Sequence, residues 1–363
     1  MISFYQQILL TLVASRLPLL CLVFSFTGCE NEKHSPATQP QPAVSENIFR
    51  PTFTFPTENH ALLEGNGSES FFTPTTKAKA WTSGTFGCVR NGGSRLHEGI
   101  DIASIERDQN NEPTDPVRSI YNGVVVHINR NIATSNYGKY VVLYHNLNSF
   151  SFYSLYAHLS EIDQNIQIGI QLNAGKKLGI LGRTSNTREK IESWRAHLHF
   201  EIGVQINSKF KNWFPTWYKD GKNHHGNWSG LNLLGLDAAK ILIEDQSNKI
   251  DFVEHLATEA VLCRVRVYRE KIDYFERHNQ LCFNVSGEKE PLAWDVSLNF
   301  SGLPLRAEPI YEAKQTPRAK YTILKVDEKV YNQHRCSGLL FKRGQKWTFT
   351  SKGQRLMDLL IYR

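Results

Sequence analysis

The chain has 363 residues, 40% of them hydrophobic and 21% charged, with a formal net charge of +7. That balance excludes a disordered or low-complexity chain and leaves room for two domains of ordinary size. The positive charge favours an anionic partner, but no dense run of Lys and Arg singles out nucleic acid.

The N-terminus reads as an export segment. "LPLLCLVFSFTGC", Leu17–Cys29, is apolar, follows Arg16, is short for a membrane span and ends in small residues. Its close, "FTGC", resembles the bacterial lipobox, with Phe26 where Leu is commoner. That resemblance implies lipidation of Cys29 and residues 1–28 as a lipoprotein-type signal peptide. A simple signal peptide or an uncleaved anchor is the alternative, and in each case the body of the chain is exported. Residues 29–70, rich in Pro, Gln, Ser, Asn and Glu, read as a flexible linker.

From about Phe71 the pattern turns to β. "GVVVHI" (Gly123–Ile128), "KYVVLYH" (Lys139–His145), "SFYSLYAHL" (Ser151–Leu159) and "AHLHFEIGV" (Ala196–Val204) are rich in β-branched and aromatic residues, with Gly, Asn and Asp turn clusters between them. Residues 71–237 are therefore expected to form a mainly β domain, a barrel or sandwich. Its last stretch, Asn212–Asp237, is an aromatic and Gly/Asn-rich bridge; Trp213, Trp217, Tyr218 and Trp228 suit either stacking on glycan or, more often, a packed wrap across the barrel edge. "DAAKILIEDQSNKIDFVEHLATEAV" then predicts one or two amphipathic helices, opening a smaller α+β accessory domain over residues 238–363.

Export changes the cysteine arithmetic. With Cys21 in the signal and Cys29 under lipid, Cys88, Cys263, Cys282 and Cys336 remain for disulfides in an oxidising compartment. Three of the four lie in the C-terminal third, so a pair within that third is expected. No C-x-x-C spacing argues for a structural zinc site.

Two histidine clusters carry the chemistry. "RLHEGIDIAS", Arg95–Ser104, approaches the helical zinc-protease pattern H-E-x-x-H, but the fifth position is Asp101. Gly99 and the β-branched Ile100 and Ile102 suit strand entry instead of a helix. In "RAHLHFEI", Arg195–Ile202, a strand places His197, His199 and Glu201 on one face and Leu198, Phe200 and Ile202 on the core face. Two imidazoles and a carboxylate, with one position open, is the composition of a catalytic zinc site. Such a site also needs groups that move protons and hold an oxyanion. "LYAHLS" offers His158, and "HLH" offers whichever of His197 and His199 is not a ligand.

H-x-x-x-D (His97, Asp101), "YAHLS" (His158) and H-x-H (His197, His199), in that order, resemble the M23 peptidases, the lysostaphin/LytM-like zinc endopeptidases. The surrounding "GTFGCVRNGGSRLHEGIDIA", "GKYVVLYH" and "GRTSN...RAHLHFEI" fit the same pattern over about Trp81–Val204. The resemblance implies a LytM-like antiparallel β fold. It implies one zinc ion held by His97, Asp101 and His199, with His158 and His197 as the catalytic pair and the choice of base between them open. It further implies hydrolysis of peptidoglycan peptide cross-links; lipobox-type export suggests an envelope with an outer membrane, and by that analogy the D-Ala–diaminopimelate amide is the expected bond. Partners would be the peptide stems and, through the lipid, the membrane, with the domain facing the periplasm. A non-catalytic regulator or wall-binding module, or a peptidase of another extracytoplasmic protein, is the alternative.

Several residues stay open beside that frame. Glu98 reads as a surface charge or a charge behind the ligands, and Glu201 either orients an imidazole or forms an ordinary ion pair. An inserted polar stretch, "IERDQNNEPTDPVRSIYNG" after "DIAS", either borders the cleft or is solvated. His127 and His145 read as structural, and His224 and His225 as structural or as an accessory contact.

Overall fold

The computed structural model describes residues 52–65, 67–74, 80–187, 191–287, 289–312 and 319–363. The expected signal segment, Cys29 and the first part of the linker lie outside them. From Thr52 onward the linker expectation is corrected: Phe53, Phe55, Leu62 and Phe71 are buried. The Phe53 amide donates to Asp245 Oδ2 at 2.7 Å, and the Thr54 amide donates to the Ile120 carbonyl at 2.9 Å. The physical reason is the phenylalanines that interrupt this Pro-rich stretch. Burying each ring contributes roughly 1.5–3 kcal/mol, enough to order a few residues of backbone apiece.

The N-terminal part is a succession of short strands. In chain order they are β1 (Gly87–Arg90), β2 (Arg95–His97), β3 (Ile100–Ala103), β4 (Pro116–Arg118), β5 (Gly123–Asn129), β6 (Lys139–Leu147), β7 (Phe150–Leu159), β8 (Glu161–Ile162), β9 (Gln171–Leu172), β10 (Lys177–Ile180), β11 (His197–Gln205) and β12 (Leu233–Leu236). The main sheet runs β12-β11-β7-β6-β5-β9, all antiparallel, and β3 also pairs with β11. The four strands expected from β-branched and aromatic runs are β5, β6, β7 and β11, displaced by a residue or two at their ends.

β11 is buried along its whole length. Leu198, Phe200 and Ile202 enter the core while His197, His199 and Glu201 take the other face, the alternation that a strand imposes. Gly99 has a steric role here. A Cβ on it would lie 2.4 Å from the Phe200 carbonyl oxygen, so only glycine lets the His97–Asp101 stretch lie against β11.

Past Asp237 the chain is α+β. Helices Ala238–Ser247 and Phe252–Ala257 are capped by the carboxylates of Asp237 and Asp251. A four-stranded antiparallel sheet follows, β15-β14-β13-β16, from β13 (Cys263–Val267), β14 (Ala293–Leu298), β15 (Pro304–Ile310) and β16 (Tyr321–Val326). A hairpin, β17 (Leu340–Arg343) and β18 (Lys346–Phe349), leads into the helix Ser351–Leu360. Polar contacts fasten this part to the first: Asn207 Nδ2 donates to the Leu359 and Tyr362 carbonyls, both at 2.9 Å, and Arg277 donates to the Gln205 carbonyl at 2.8 Å. The described residues belong to one compact unit.

The expected cysteine pair inside the C-terminal third is corrected. Cys88 at the start of the chain's β structure bonds to Cys336, 248 residues away, while Cys263 and Cys282 are free thiols. The cross-link joins β1 to the turn after helix Glu328–Gln333, a proximity that no local pattern encodes. His145, fully inside, bonds Asn122 O through Nδ1 at 2.9 Å and meets Ser154 Oγ through Nε2 at 2.6 Å. Burial pushes its pKa down to about 4.

Two outcomes follow. Replacing Cys88 and Cys336 by serine is expected to lower unfolding free energy by roughly 2–5 kcal/mol, measured by urea titration against the oxidised protein; an equal midpoint would show that the cross-link adds nothing. Below the unfolded-state histidine pKa of about 6.5 the unfolded chain gains a proton that folded His145 refuses until about 4. The ring's share of stability, about 3 kcal/mol at most, is therefore present above pH 6.5 and lost as pH falls toward 4. His145→Gln is expected to flatten that part of the stability–pH curve.

Candidate active site

Strand register brings the two histidine clusters together. In the β3–β11 pair His199 stands opposite Asp101 and His197 opposite Ala103. In the β1–β2 hairpin Gly87 stands opposite His97, which closes the third side. The three donor atoms form a nearly equilateral triangle. His97 Nε2 lies 3.1 Å from His199 Nδ1 and 3.2 Å from Asp101 Oδ1, and His199 Nδ1 lies 3.1 Å from Asp101 Oδ1. Tetrahedral ligands about 2.0 Å from one ion are about 3.3 Å apart, so the triangle fits one face of such a site. Among the described residues it is the one His/Cys/Asp/Glu group with metal-holding geometry.

Each imidazole is fixed by its other nitrogen. His97 Nδ1 donates to the Thr85 carbonyl at 2.7 Å, His158 Nδ1 to the Thr184 carbonyl at 2.7 Å, and His197 Nδ1 to the Arg195 carbonyl at 2.6 Å. Their Nε2 atoms are thereby left as the lone-pair side. His199 is reversed: its Nε2 donates to Glu201 Oε1 at 2.9 Å, which leaves Nδ1 toward Asp101. Glu201 is buried and also accepts from the hydroxyls of Tyr137 and Tyr153, each at 2.6 Å. It therefore orients an imidazole, and it does so from behind the site.

His158 sits at the end of β7 with φ of 62°, a left-handed conformation that costs a non-glycine residue energy. It turns the ring out of the strand's alternation, 4.9 Å between centroids from His197 and 6.0 Å from His199. Gly182 makes room, since a Cβ there would lie 2.7 Å from the His158 carbonyl oxygen.

The electrostatics divide the imidazoles. Burial holds His97, His158 and His197 below the usual histidine value, His158 far below it. Burial also pulls on His199, but the Asp101 and Glu201 carboxylates outweigh it and raise this ring to about 9. Asp101 is fully buried; burial opposes its charge, and His197, His97 and Arg90 together hold it well below the carboxylate range. Arg90 had no role in the sequence reading. Its Nη2 lies 2.6 Å from Asp101 Oδ2 and 2.7 Å from His97 Nε2. The signal for it was present in "VRNGGSRLH", where a hairpin folds Arg90 back beside His97.

The triad lies in an open cleft of about 650 Å3 that also holds His158, His197, Tyr137 and His225. Glu98 lies on the cleft wall, half-buried; burial and Glu201 raise its pKa. His225 is a wall residue whose Nδ1 meets the Tyr140 hydroxyl at 2.9 Å and His127 Nε2 at 3.4 Å. Trp213 is buried and Trp228 packs against the sheet core, as a wrap requires. The inserted stretch does not line the cleft but braces a segment that does. Glu112 pairs with Arg183, and Arg107 donates to the Ser193 carbonyl at 2.9 Å.

A mainly antiparallel sheet thus holds a buried His/Asp/His triad at the foot of an open cleft. Residues 95–211 match peptidase family M23, so the chain carries a domain of that family. Solved structures similar to it include a zinc-containing peptidase from Vibrio cholerae, at 26% identity over 36% of this chain and 36% of that one, TM-score 0.24. The catalytic domain of lysostaphin from Staphylococcus simulans aligns at 21% identity over 44% of this chain and 86% of that one, TM-score 0.26. The catalytic domain of a prophage-encoded M23 protein from Enterococcus faecalis aligns at 21% identity over 32% and 75%, TM-score 0.25. The chain thus spans just over a third of the length of the Vibrio structure. No curated protein matches it.

Glu201→Gln keeps the side chain's shape but removes the charge behind His199. It is expected to weaken binding of a divalent cation to the triad about 10–100-fold, read by competition with a chromogenic chelator. Unchanged affinity would show that Glu201 does not act on the ligand.

Proposed function

We propose that the chain is a zinc-dependent endopeptidase of peptidoglycan, cutting peptide cross-links, with the D-Ala–diaminopimelate amide as the target bond. The observation that carries the reading is the donor triangle with edges of 3.1–3.2 Å, flanked by two imidazoles that burial keeps neutral. The donor set suits the ion: two nitrogens, one carboxylate and an open side toward the cleft. A cationic nitrogen, Arg90 Nη2, already rests against one of the donors, His97 Nε2, and against Asp101 Oδ2, the second oxygen of the same carboxylate, so the cluster attracts positive charge. His97, Asp101 and His199 would hold the zinc, which when bound supplies Lewis acidity toward a carbonyl and lowers the pKa of water.

The remaining work falls to the chain. His158 and His197, neutral and with Nε2 unprotonated, are placed to take a proton from the attacking water and return it to the leaving amine. Their fixed Nδ1–H bonds to the Thr184 and Arg195 carbonyls keep the rings from turning. The family match supports peptidase chemistry, and the net positive charge suits an anionic wall polymer. Lipidation of Cys29 would tether the domain at the membrane facing the periplasm.

Purified protein incubated with sacculi is expected to release uncross-linked muropeptides at the expense of dimers. Chelation or Asp101→Ala is expected to abolish that release, and His158→Ala to lower kcat about 100-fold or more. Full activity after chelation with no bound metal, or in Asp101→Ala, would sink the zinc assignment. Intact dimers with metal-loaded protein would sink the substrate.

A further inference from the structure

One charged group in the cleft has no partner that accounts for it. Arg195 lines the same cavity as His158 and His197 and is half-buried. Its Nε is buried with no hydrogen-bond partner, and among the described residues no carboxylate pairs with it. Its side chain rests near the Trp194 ring, whose centroid is 5.8 Å from the guanidinium carbon. An arginine nitrogen removed from water without an acceptor is costly, so its position needs a cause.

Among the described residues, Glu192, Glu112, Asp115 and Asp101 are engaged elsewhere. Glu192 accepts from Trp194 Nε1 at 2.9 Å. Glu112 pairs with Arg183. Asp115 accepts from Ser104 Oγ at 2.6 Å and from the Ile105 amide at 2.8 Å. Asp101 is taken by Arg90 and the imidazoles.

The backbone that carries this side chain is nevertheless held in place. The Arg195 carbonyl anchors His197 Nδ1, so this backbone is tied to a proposed catalytic ring. The turn Ser193–Arg195 is clamped from the inserted loop by Arg107 to the Ser193 carbonyl at 2.9 Å and by Asn111 Nδ2 to Ser193 Oγ at 2.9 Å. The insertion thus fixes the turn that carries Arg195, two residues before the first histidine of the H-x-H strand. A planar fork with unfilled donors matches a carboxylate better than any neutral group.

We propose that Arg195 forms an anion subsite beside the proposed catalytic imidazoles, which takes a carboxylate carried by the substrate peptide close to the scissile amide. This rests on the peptidase reading above and adds the substrate class: peptides with a free carboxylate at that position, in preference to their carboxamides. Arg195 acts there as a specificity-determining residue and the inserted loop as its support.

The test is a pair of probes, a diaminopimelate-containing stem tetrapeptide as the free acid and the same peptide with its carboxylates amidated. Calorimetric titration of the purified protein is expected to give about tenfold or more tighter binding of the acid. Arg195→Gln is expected to bring the acid down to the level of the amide, and Arg195→Lys to keep part of the preference; loss of fold would remove binding of both probes alike. The same pair made as cross-linked dimers is expected to show the difference in KM and not in kcat. Equal binding of acid and amide by the wild type, or a preference that survives in Arg195→Gln, overturns the proposal. An acid preference that depends on Arg195, in a protein that leaves dimers intact, upholds the subsite while overturning the cross-link substrate.

Discussion

The buried carboxylate of Asp101 is the constraint around which the rest is arranged. A charged group with no solvent exposure survives only if every side of it is compensated. Here the compensation is three imidazoles and a guanidinium, drawn from β1, β2 and β11. No single strand can supply that. The antiparallel register that sets His199 opposite Asp101 is therefore an electrostatic requirement as much as a packing one. Gly99 is the steric condition for it, because any side chain there would hold the strand away from β11.

Behind this first ring of groups lies a second one that decides which nitrogen of each ring points inward. Backbone carbonyls of Thr85, Thr184 and Arg195 fix three imidazoles, and Glu201 fixes the fourth. Glu201 is itself a buried charge, and two tyrosine hydroxyls share the cost of keeping it there. Burial keeps the rings flanking the triad neutral, whereas the two carboxylates on His199 raise that ring to about 9. The same H-x-H strand thus holds two histidines whose pKa values are pushed in opposite directions, two residues apart.

The C-terminal α+β part reaches this site through covalent and polar links. The disulfide ends on Cys88, two residues before Arg90 in the strand that faces His97. Hydrogen bonds from Asn207 and Arg277 hold the far end of β11 and the chain just beyond it. The inserted loop performs a similar service on the other flank by clamping the turn that precedes His197. Pieces that lie outside the strands of the site thus set how rigidly its rim is held.

Local patterns in the sequence were sufficient for β5, β6, β7 and β11, because alternation and β-branched runs report burial on a pleated surface directly. They also separated the core face of β11 from its histidine face, and replaced the tempting helix at Arg95–Ser104 with strand entry. The residues quoted for the family resemblance, His97, Asp101, His158, His197 and His199, are those that line one cleft. What the sequence did not contain was any fact about partners far apart in the chain. The Cys88–Cys336 bond, the packing of Phe53 against the body, the guanidinium of Arg90 on Asp101 and the missing partner of Arg195 all depend on which surfaces meet after folding. Periodicity encodes which way a side chain faces, but the identity of its neighbour is decided by register and layer packing, and these exist only in the tertiary structure.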